Sequence, residues 1–538
     1  MEFQSYIYRK NHWLLEPDLK AILGGYWVNL HEHRGEFEDF GVLVGSEVYE
    51  VTDYVDHHAA PVLVMHDLDG HRVDRARLCP AHAELLKHLA FINRPPYEGG
   101  SWHHHFALAF LLADPGFYCS LFVTNQTAYA LHKYAPEHAE IIQQLLSGDA
   151  WGATWMTETQ GGSDLGANTT TAIHSDHGWL LSGENKYFAS NAGLADYALV
   201  TARPESAQPG PKGLALFLMP RERPDGSLNY HVRRYKDKIG TRAVPTGEVE
   251  CHDSQAYMVG DRGKGIYYTL ETLTVSRLAN AIGSMGLARK AHLEALYRVR
   301  TRQAFNRPLV DHPLVRRDLT DIAVRTAAGL CLAFHAVELF DRAWTEVPPY
   351  SLVYHYARFF SHLAKNRTAD HATRVTLLAM ELFGGLGFLE EYAVARLHRE
   401  ALVAPIWEGT SNIQALDMLE VMQKKAAHES FLDEFIPMLE RAGTPEARAA
   451  LGSLEQTLQD IVQQNLGEVQ WYGKDYLNRF ADIAQTALLY ALAETNGERY
   501  AMLASLYAHR FILGEPYPSW ALEDRSIWFP VELIEQSA

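Results

Sequence analysis

Glu408 stands between a large aromatic, Trp407, and a glycine, Gly409, in the stretch APIWEGTSNIQ (residues 404–414). A solvated glutamate has no need of such neighbours. A base that takes a proton from carbon does: the aromatic excludes water from the carboxylate, and the glycine lets a backbone turn approach a ligand closely. Other stretches carry groups suited to holding that ligand. MTETQGGSDLGANTTT (156–171) gathers hydroxyls, two glycines and backbone N–H groups, donors for a planar heterocycle or a phosphate, or an ordinary Gly/Ser/Thr turn. In NKYFASNAG (185–193), read as a strand, Phe188 and Ser190 share one face, so a ring stack and a hydrogen bond come from the same side. An aromatic on a strand is more often core. RTRQAFNRPLVDHPLV (300–315) puts arginines near the turn of a helical hairpin, to clamp a pyrophosphate or simply to end a solvated helix. Within 379–412 a helix breaks at Gly384-Gly385, where each glycine costs roughly 1 kcal/mol relative to alanine, which points to a close backbone approach.

The elements that must position these residues follow from periodicity. Residues 1–150 read as mainly helical after an irregular start, with AHAELLKHLAFI and HHFALAFLLAD at helical spacing. Residues 151–262 change to short runs punctuated by Gly, Pro, Asn and Asp, the pattern of an antiparallel β-domain. Residues 263–428 return to long helices with short loops, opening on one amphipathic stretch from 267 to 305, as in a helical bundle. Residues 429–538 form a further helical segment with a Trp- and Pro-containing tail, WALEDRSIWFPVELIEQ. The fold class is α+β, mainly α. A P-loop is absent, and the nearest dinucleotide fingerprint, Gly385-Leu-Gly387, lacks its third glycine and its strand, which argues against a Rossmann dehydrogenase.

Composition bounds the rest. Hydrophobic residues make up 47% and charged residues 21%, so the chain is globular. The formal charge of −18 argues against a general polyanion binder and makes DNA an unexpected partner. Cys79, Cys119, Cys251 and Cys331 are scattered without a CxxC pair, as reduced packing residues are. There is no signal-peptide core and no apolar run near the ~18 residues that span a bilayer, so a soluble cytoplasmic protein without a membrane partner is expected. His103-His104-His105 is discounted as a metal site, because successive helical residues point about 100° apart; no metal is expected. Cys119 is read as core and Glu390-Glu391 as a solvated helix face.

The order of the motifs carries more than any one of them. MTETQGGSD, KYFASN, KDKIGTR, RQAFNRPL, FGGLGF and IWEGTSN occur in the order of the acyl-CoA dehydrogenase flavoprotein superfamily, which the chain resembles over roughly 120–425. VLVMHDLDGHRVDRARLCPAHAELLKHL and the KDKIG form resemble the AidB-like branch, whose longer N-terminus and extra C-terminal helical domain suit this length. The resemblance implies an N-terminal helical domain, a middle β-barrel, a C-terminal four-helix bundle and an extra C-terminal helical domain. It implies a homotetramer, an FAD between barrel and bundle, an acyl-CoA substrate, an electron-transfer flavoprotein as acceptor, and a place in fatty acid metabolism.

Residue by residue, the resemblance makes Glu408 the base for α,β-dehydrogenation of an acyl thioester. Met156, Thr157 and Ser163 match the loop on the flavin ring and pyrophosphate, and Ser163 also faces substrate. Phe188 and Ser190 match the groups beside the isoalloxazine. Arg302 and Phe305 match an Arg-x-x-Phe that reaches the FAD of a neighbouring subunit, while Gly384 and Gly385 match the turn at its adenine end. Thr410 and Asn412 complete the cofactor set, and Arg277, Trp407 and Gly409 the substrate set. Three positions depart from the pattern: Thr159 replaces a proline, Glu381 replaces a glutamine that would face FAD, and Trp407 is bulky enough to narrow an acyl pocket. Two other readings stay open: an AidB-like protective, nucleic-acid-associated flavoprotein of low turnover, and a flavin-dependent oxidase.

Overall fold

Proline and capping signals divide the N-terminal region into helices. Asp114 accepts from the Phe117 N–H (3.3 Å) and Pro115 opens the helix that follows; Ser101 caps the preceding one through the His104 N–H. In this computed structural model, which describes residues 5–176 and 178–528, the region holds α1 (Pro17–Tyr26), α2 (Arg34–Leu43), α3 (Tyr49–His58), α4 (Pro80–Leu89), α5 (Trp102–Leu112), α6 (Pro115–Tyr134) and α7 (Ala139–Ser147). The first four residues and the tail beyond Trp528 lie outside the described residues.

A hairpin that helical periodicity did not anticipate, β1 (Val62–His66) and β2 (Arg72–Arg77), interrupts these helices. Its turn is made by Asp67, whose carboxylate accepts from the Asp69 and His71 N–H groups, and by Gly70 at φ +85°. The hairpin docks on the β-domain: Ala76 N–H donates to the Gly193 carbonyl (2.9 Å), and the Asp74 carboxylate accepts from Val232 N–H (2.8 Å).

The β-domain comprises β3 (Gly152–Trp155), β4 (Thr171–Ser175), β5 (Gly178–Ala189), β6 (Tyr197–Pro204), β7 (Ala215–Pro220), β8 (His231–Tyr235) and β9 (Gly247–Met258). The circuit β6–β4–β5–β9–β7 returns to β6, closing a barrel-like sheet, with β3 added on β6 and β8 on β9. The expected antiparallel barrel is corrected at one seam: β3 and β4 both run parallel to β6. The register gives the reason. β3 pairs with Tyr197–Val200, and β4 takes up the same edge at Arg203–Pro204. The two are one strand line, broken by the loop 156–170.

The helical bundle consists of α8 (Gly265–Thr301), α9 (Pro313–Ala343), α10 (Leu352–Phe383), the short α11 (Ala393–Ala401) and α12 (Ser411–Lys425). The expectation of an amphipathic α8 is corrected. Nearly every residue from Gly265 to Val299 is buried, because α5, α6, α9, α10, α11 and β7 surround it. By length and apolar composition α9 passes as a membrane span, but it is almost wholly buried in this bundle, as a core helix is. Glu390 and Glu391 lie in a turn rather than on a helix, and Glu390 pairs with Arg399 (2.8 Å) and His57 (3.3 Å).

Beyond them α13 (Ala427–Ala442), α14 (Pro445–Gln463), α15 (Leu466–Trp471), α16 (Gly473–Asn496) and α17 (Glu498–Phe511) pack back on α9, α10 and α12 and join the same hydrophobic core. One polar lock fixes them. Buried Arg367 of α10 donates to both Asp482 oxygens (2.7 and 3.0 Å), and Tyr507 donates to the same carboxylate.

Candidate active site

Glu408 occupies the left-handed region at φ +59°, and Gly409 follows at φ +96°. An L-residue pays roughly 1–2 kcal/mol for that conformation, so it persists only where its surroundings hold it. Here they do. The Glu408 carbonyl accepts from Arg277 Nε (3.3 Å) and Gln414 Nε2 (3.0 Å), while the Gly409 carbonyl accepts from Gln414 Nε2 (2.9 Å) and Lys365 Nζ (2.7 Å). Gln414 is itself set by His362 (2.8 Å), and Arg277 is held by Asp417 (3.1 Å). A Cβ on Gly409 would lie 2.7 Å from Gln414 Nε2, which explains the glycine.

The carboxyl of Glu408 is turned inward. Burial pushes its pKa up; the Ser276 hydroxyl and the charges of Arg277 and Lys365 restrain that rise. Lys365 is pushed down to about 7 by burial, with the charge of Glu408 opposing the fall. Ser276 is fixed by Gln126 of α6 (2.6 Å), and Gln126 accepts from Thr154 of β3 (3.2 Å). Barrel, N-terminal helices and bundle thus meet at the carboxylate.

From Glu408 a cavity runs between α6 and α8, walled by Tyr118, Phe122, Val123 and Leu287. Trp407 lines it, its indole N–H donating to Asn280 Oδ1 (2.7 Å). Cys119, read as core, lines the same cavity, and burial pushes its thiol up to about 11. Glu400 also lines it; burial and the neighbouring Asp114 charge push its carboxyl up to about 7.

The sequence candidates fall into two groups. Met156, Thr157 and Ser190 lie together at the barrel rim: Tyr187 N–H donates to the Thr157 carbonyl (2.9 Å) and Trp155 Nε1 to the Ser190 carbonyl (2.8 Å). Phe188 stands on that rim 55% exposed, with Lys236 over its ring, and Ser163 is exposed in the adjoining loop. The second group surrounds the C-terminal end of α10. Arg302 Nη1 donates to the Phe383 carbonyl (3.3 Å) against Gly384 at φ +67°, and Gly385 faces open space. Glu381 and Phe305 are exposed there, Phe305 by 90%. Thr410 and Asn412 are exposed at the start of α12. The three histidines at 103–105 point apart: His103 to Glu338, His104 to Glu36, and His105 to the Ile92 carbonyl.

Sequence reasoning missed Ser276, Lys365, Gln414, Asn280 and Glu158. Glu158 lies within the first loop motif and pairs with buried Lys186 (2.9 Å) while accepting from Thr169 and Thr170. Ser276, Asn280 and Ser284 were visible as polar residues every fourth position of an apolar helix.

Comparison with known proteins agrees with this architecture. The chain matches the AidB N-terminal domain over residues 6–150, the acyl-CoA dehydrogenase middle domain over 153–254 and the acyl-CoA dehydrogenase C-terminal domain over 263–423. It is 30% identical over 397 residues to AidB of Escherichia coli (strain K12), covering 70% of this chain and 71% of that protein. It is 27% identical over 440 residues to 3-methylmercaptopropionyl-CoA dehydrogenase of Ruegeria pomeroyi, covering 75% and 72%. Among solved structures, Caenorhabditis elegans ACDH-11 in complex with C11-CoA superposes with a TM-score of 0.83 at 25% identity, covering 98% of this chain and 94% of that one. The chain belongs to the acyl-CoA dehydrogenase family of oxidoreductases acting on CH–CH bonds, in its AidB-like branch.

Proposed function

We propose that the protein is an FAD-dependent acyl-CoA dehydrogenase in which Glu408 removes the α-proton of an acyl thioester. The observation that carries this is Glu408, half-buried at the head of an apolar cavity that Ser276 also lines, with its carbonyl held by Arg277 and Gln414. A carboxylate of ordinary pKa is a weak base toward carbon; burial strengthens it, while Arg277 and Lys365 keep the anion available. Trp407, fixed through Asn280, keeps water from the reacting end of the chain.

The barrel rim fits a flavin. Exposed Phe188 offers a ring face, Ser190 a hydroxyl, and the loop of Met156, Thr157 and Ser163 further donors. FAD, when bound there, supplies the acceptor for the β-hydride. Arg302, Phe305, Glu381, Gly384 and Gly385 would hold its adenosine half, with Thr410 and Asn412 nearer the base. Arg277 and Arg302 stand 25 residues apart along α8 and its end, roughly 37 Å at 1.5 Å per residue. With Arg302 that far from the base, it is proposed to serve the FAD of a neighbouring subunit, as the resemblance to a homotetrameric family implies. An electron-transfer flavoprotein is the proposed acceptor.

Anaerobic titration of the yellow protein with a panel of acyl-CoAs tests the reading. Bleaching of the visible flavin band by a thioester, with the rate lowered about 10²–10⁴-fold in Glu408→Gln, is the expected outcome. Bound flavin that no thioester bleaches would overturn it. The likeness to AidB favours a second reading, a protective nucleic-acid-associated flavoprotein. The net charge of −18 opposes it, and retention of DNA in a gel-shift assay at moderate salt would be needed to revive it.

A further inference from the structure

The cavity has an inner end that the proposed chemistry does not use. α8 and the segment 400–408 run past one another in antiparallel register. Arg277 Nε donates to the Glu408 carbonyl beside Ser276, and further along α8 Asn280 Nδ2 donates to the carbonyl of Ala404, four residues back from Glu408 (3.0 Å). The same step brings Ser284 level with Glu400, about 12 Å along the α8 axis from Ser276. Both line the cavity that begins at Glu408.

Each brings a buried polar atom without a partner. Ser284 is 2% exposed and its Oγ makes no hydrogen bond; Glu400 is 3% exposed, and its Oε2 makes none. The other Glu400 oxygen accepts from the Thr241 N–H (2.6 Å), which fixes the side chain and leaves Oε2 without a partner in a residue that lines the cavity. A plain hydrocarbon end would cover these two atoms with nothing to bond them, an unfavourable way to fill a pocket. A hydroxyl suits both: it donates once, to the carboxylate, and accepts once, from the serine. A terminal carboxylate would repel Glu400. A terminal cation would meet Lys238 and Lys290, both already buried near this carboxyl or its Asp114 neighbour.

We propose that Ser284 and Glu400 form a polar subsite at the inner end of the acyl cavity, selecting acyl thioesters whose chain bears a hydroxyl remote from the thioester. The proposal rests on the dehydrogenase reading above, but binding tests it separately from turnover. FAD-loaded protein carrying Glu408→Gln would be titrated calorimetrically with pairs of saturated acyl-CoAs of equal length, one member of each pair carrying a terminal hydroxyl. At the matching length the hydroxylated member should bind about tenfold more tightly, the net gain of pairing the two buried groups. Adding Ser284→Ala should bring the pair within about twofold of each other. Glu400→Gln, which keeps an oxygen for Thr241, should also reduce the preference. Equal affinities at every length, or a preference that survives both substitutions, would overturn the subsite. If native enzyme is bleached by plain thioesters and the pairs bind alike, the subsite falls and the dehydrogenase reading stands. If no thioester binds, both fall.

Discussion

Lys365 sits where it can act on Glu408 in two ways: through the Gly409 carbonyl it holds, and through its charge. The two are separable by pH. The rate of proton abstraction should fall as acid protonates Glu408, along a limb set above the ordinary carboxylate range by burial. Lys365, pushed down to about 7, carries its charge across most of that limb. Lys365→Met should therefore move the acid limb of kcat/KM to higher pH. A limb that stays in place while kcat drops would assign Lys365 to holding the turn alone. The conformation of Glu408 explains why so many groups converge on two carbonyls. A residue at positive φ relaxes unless its neighbours hold it, and Arg277, Gln414 and Lys365 do.

At the scale of elements, the loop 156–170 is kept in shape by Glu158, which ties Thr169, Thr170 and Lys186 together. Burial pushes its carboxyl up, but Lys186 and the threonine donors outweigh that and hold it down to about 2. The order it gives the loop is present above the ordinary carboxylate value of 4.5 and is lost as pH falls from there toward 2. Glu158→Ala leaves Lys186 buried and unpaired, a loss of about 3–5 kcal/mol, and should lower FAD occupancy, measured as flavin absorbance per protein, more than it lowers helical content. This residue also marks the limit of the sequence reading. The loop motif was legible because its hydroxyls and glycines are local chemistry. The partner of Glu158 was not, since Lys186 comes to it only through strand pairing. The same holds for Lys365 and Gln414, which ordinary helical periodicity places anywhere on a buried face. The β1–β2 hairpin was legible in principle, from two alternating runs around Asp67-Leu68-Asp69-Gly70, and was hidden by the helices on either side. α8 was misjudged because polar residues such as Ser276 and Asn280, which face the cavity, imitate a solvated stripe.

At the scale of the whole molecule, the C-terminal helices depend on the lock between Arg367, Asp482 and Tyr507. Asp482→Ala leaves the buried Arg367 guanidinium with Asp370 alone (3.0 Å), at a cost of up to about 3–5 kcal/mol, and hydrogen exchange across α16 and α17 should accelerate before exchange in the barrel does. Uniform acceleration would mean that these helices and the bundle open together. Arg302→Ala should lower FAD affinity while leaving the Glu408 cavity intact; size-exclusion chromatography with light scattering, run on loaded and unloaded protein, will show whether assembly and cofactor retention change together. The seam of the barrel has a further consequence. Because β3 and β4 continue one line along β6, the excursion between them enters and leaves the sheet at neighbouring points. Insertions or deletions there leave strand order and register untouched, and each doubling of loop length costs only about 0.6 kcal/mol. The barrel is in this respect a chassis: divergence can rewrite the surface offered to a prosthetic group while the walls that carry it are inherited unchanged.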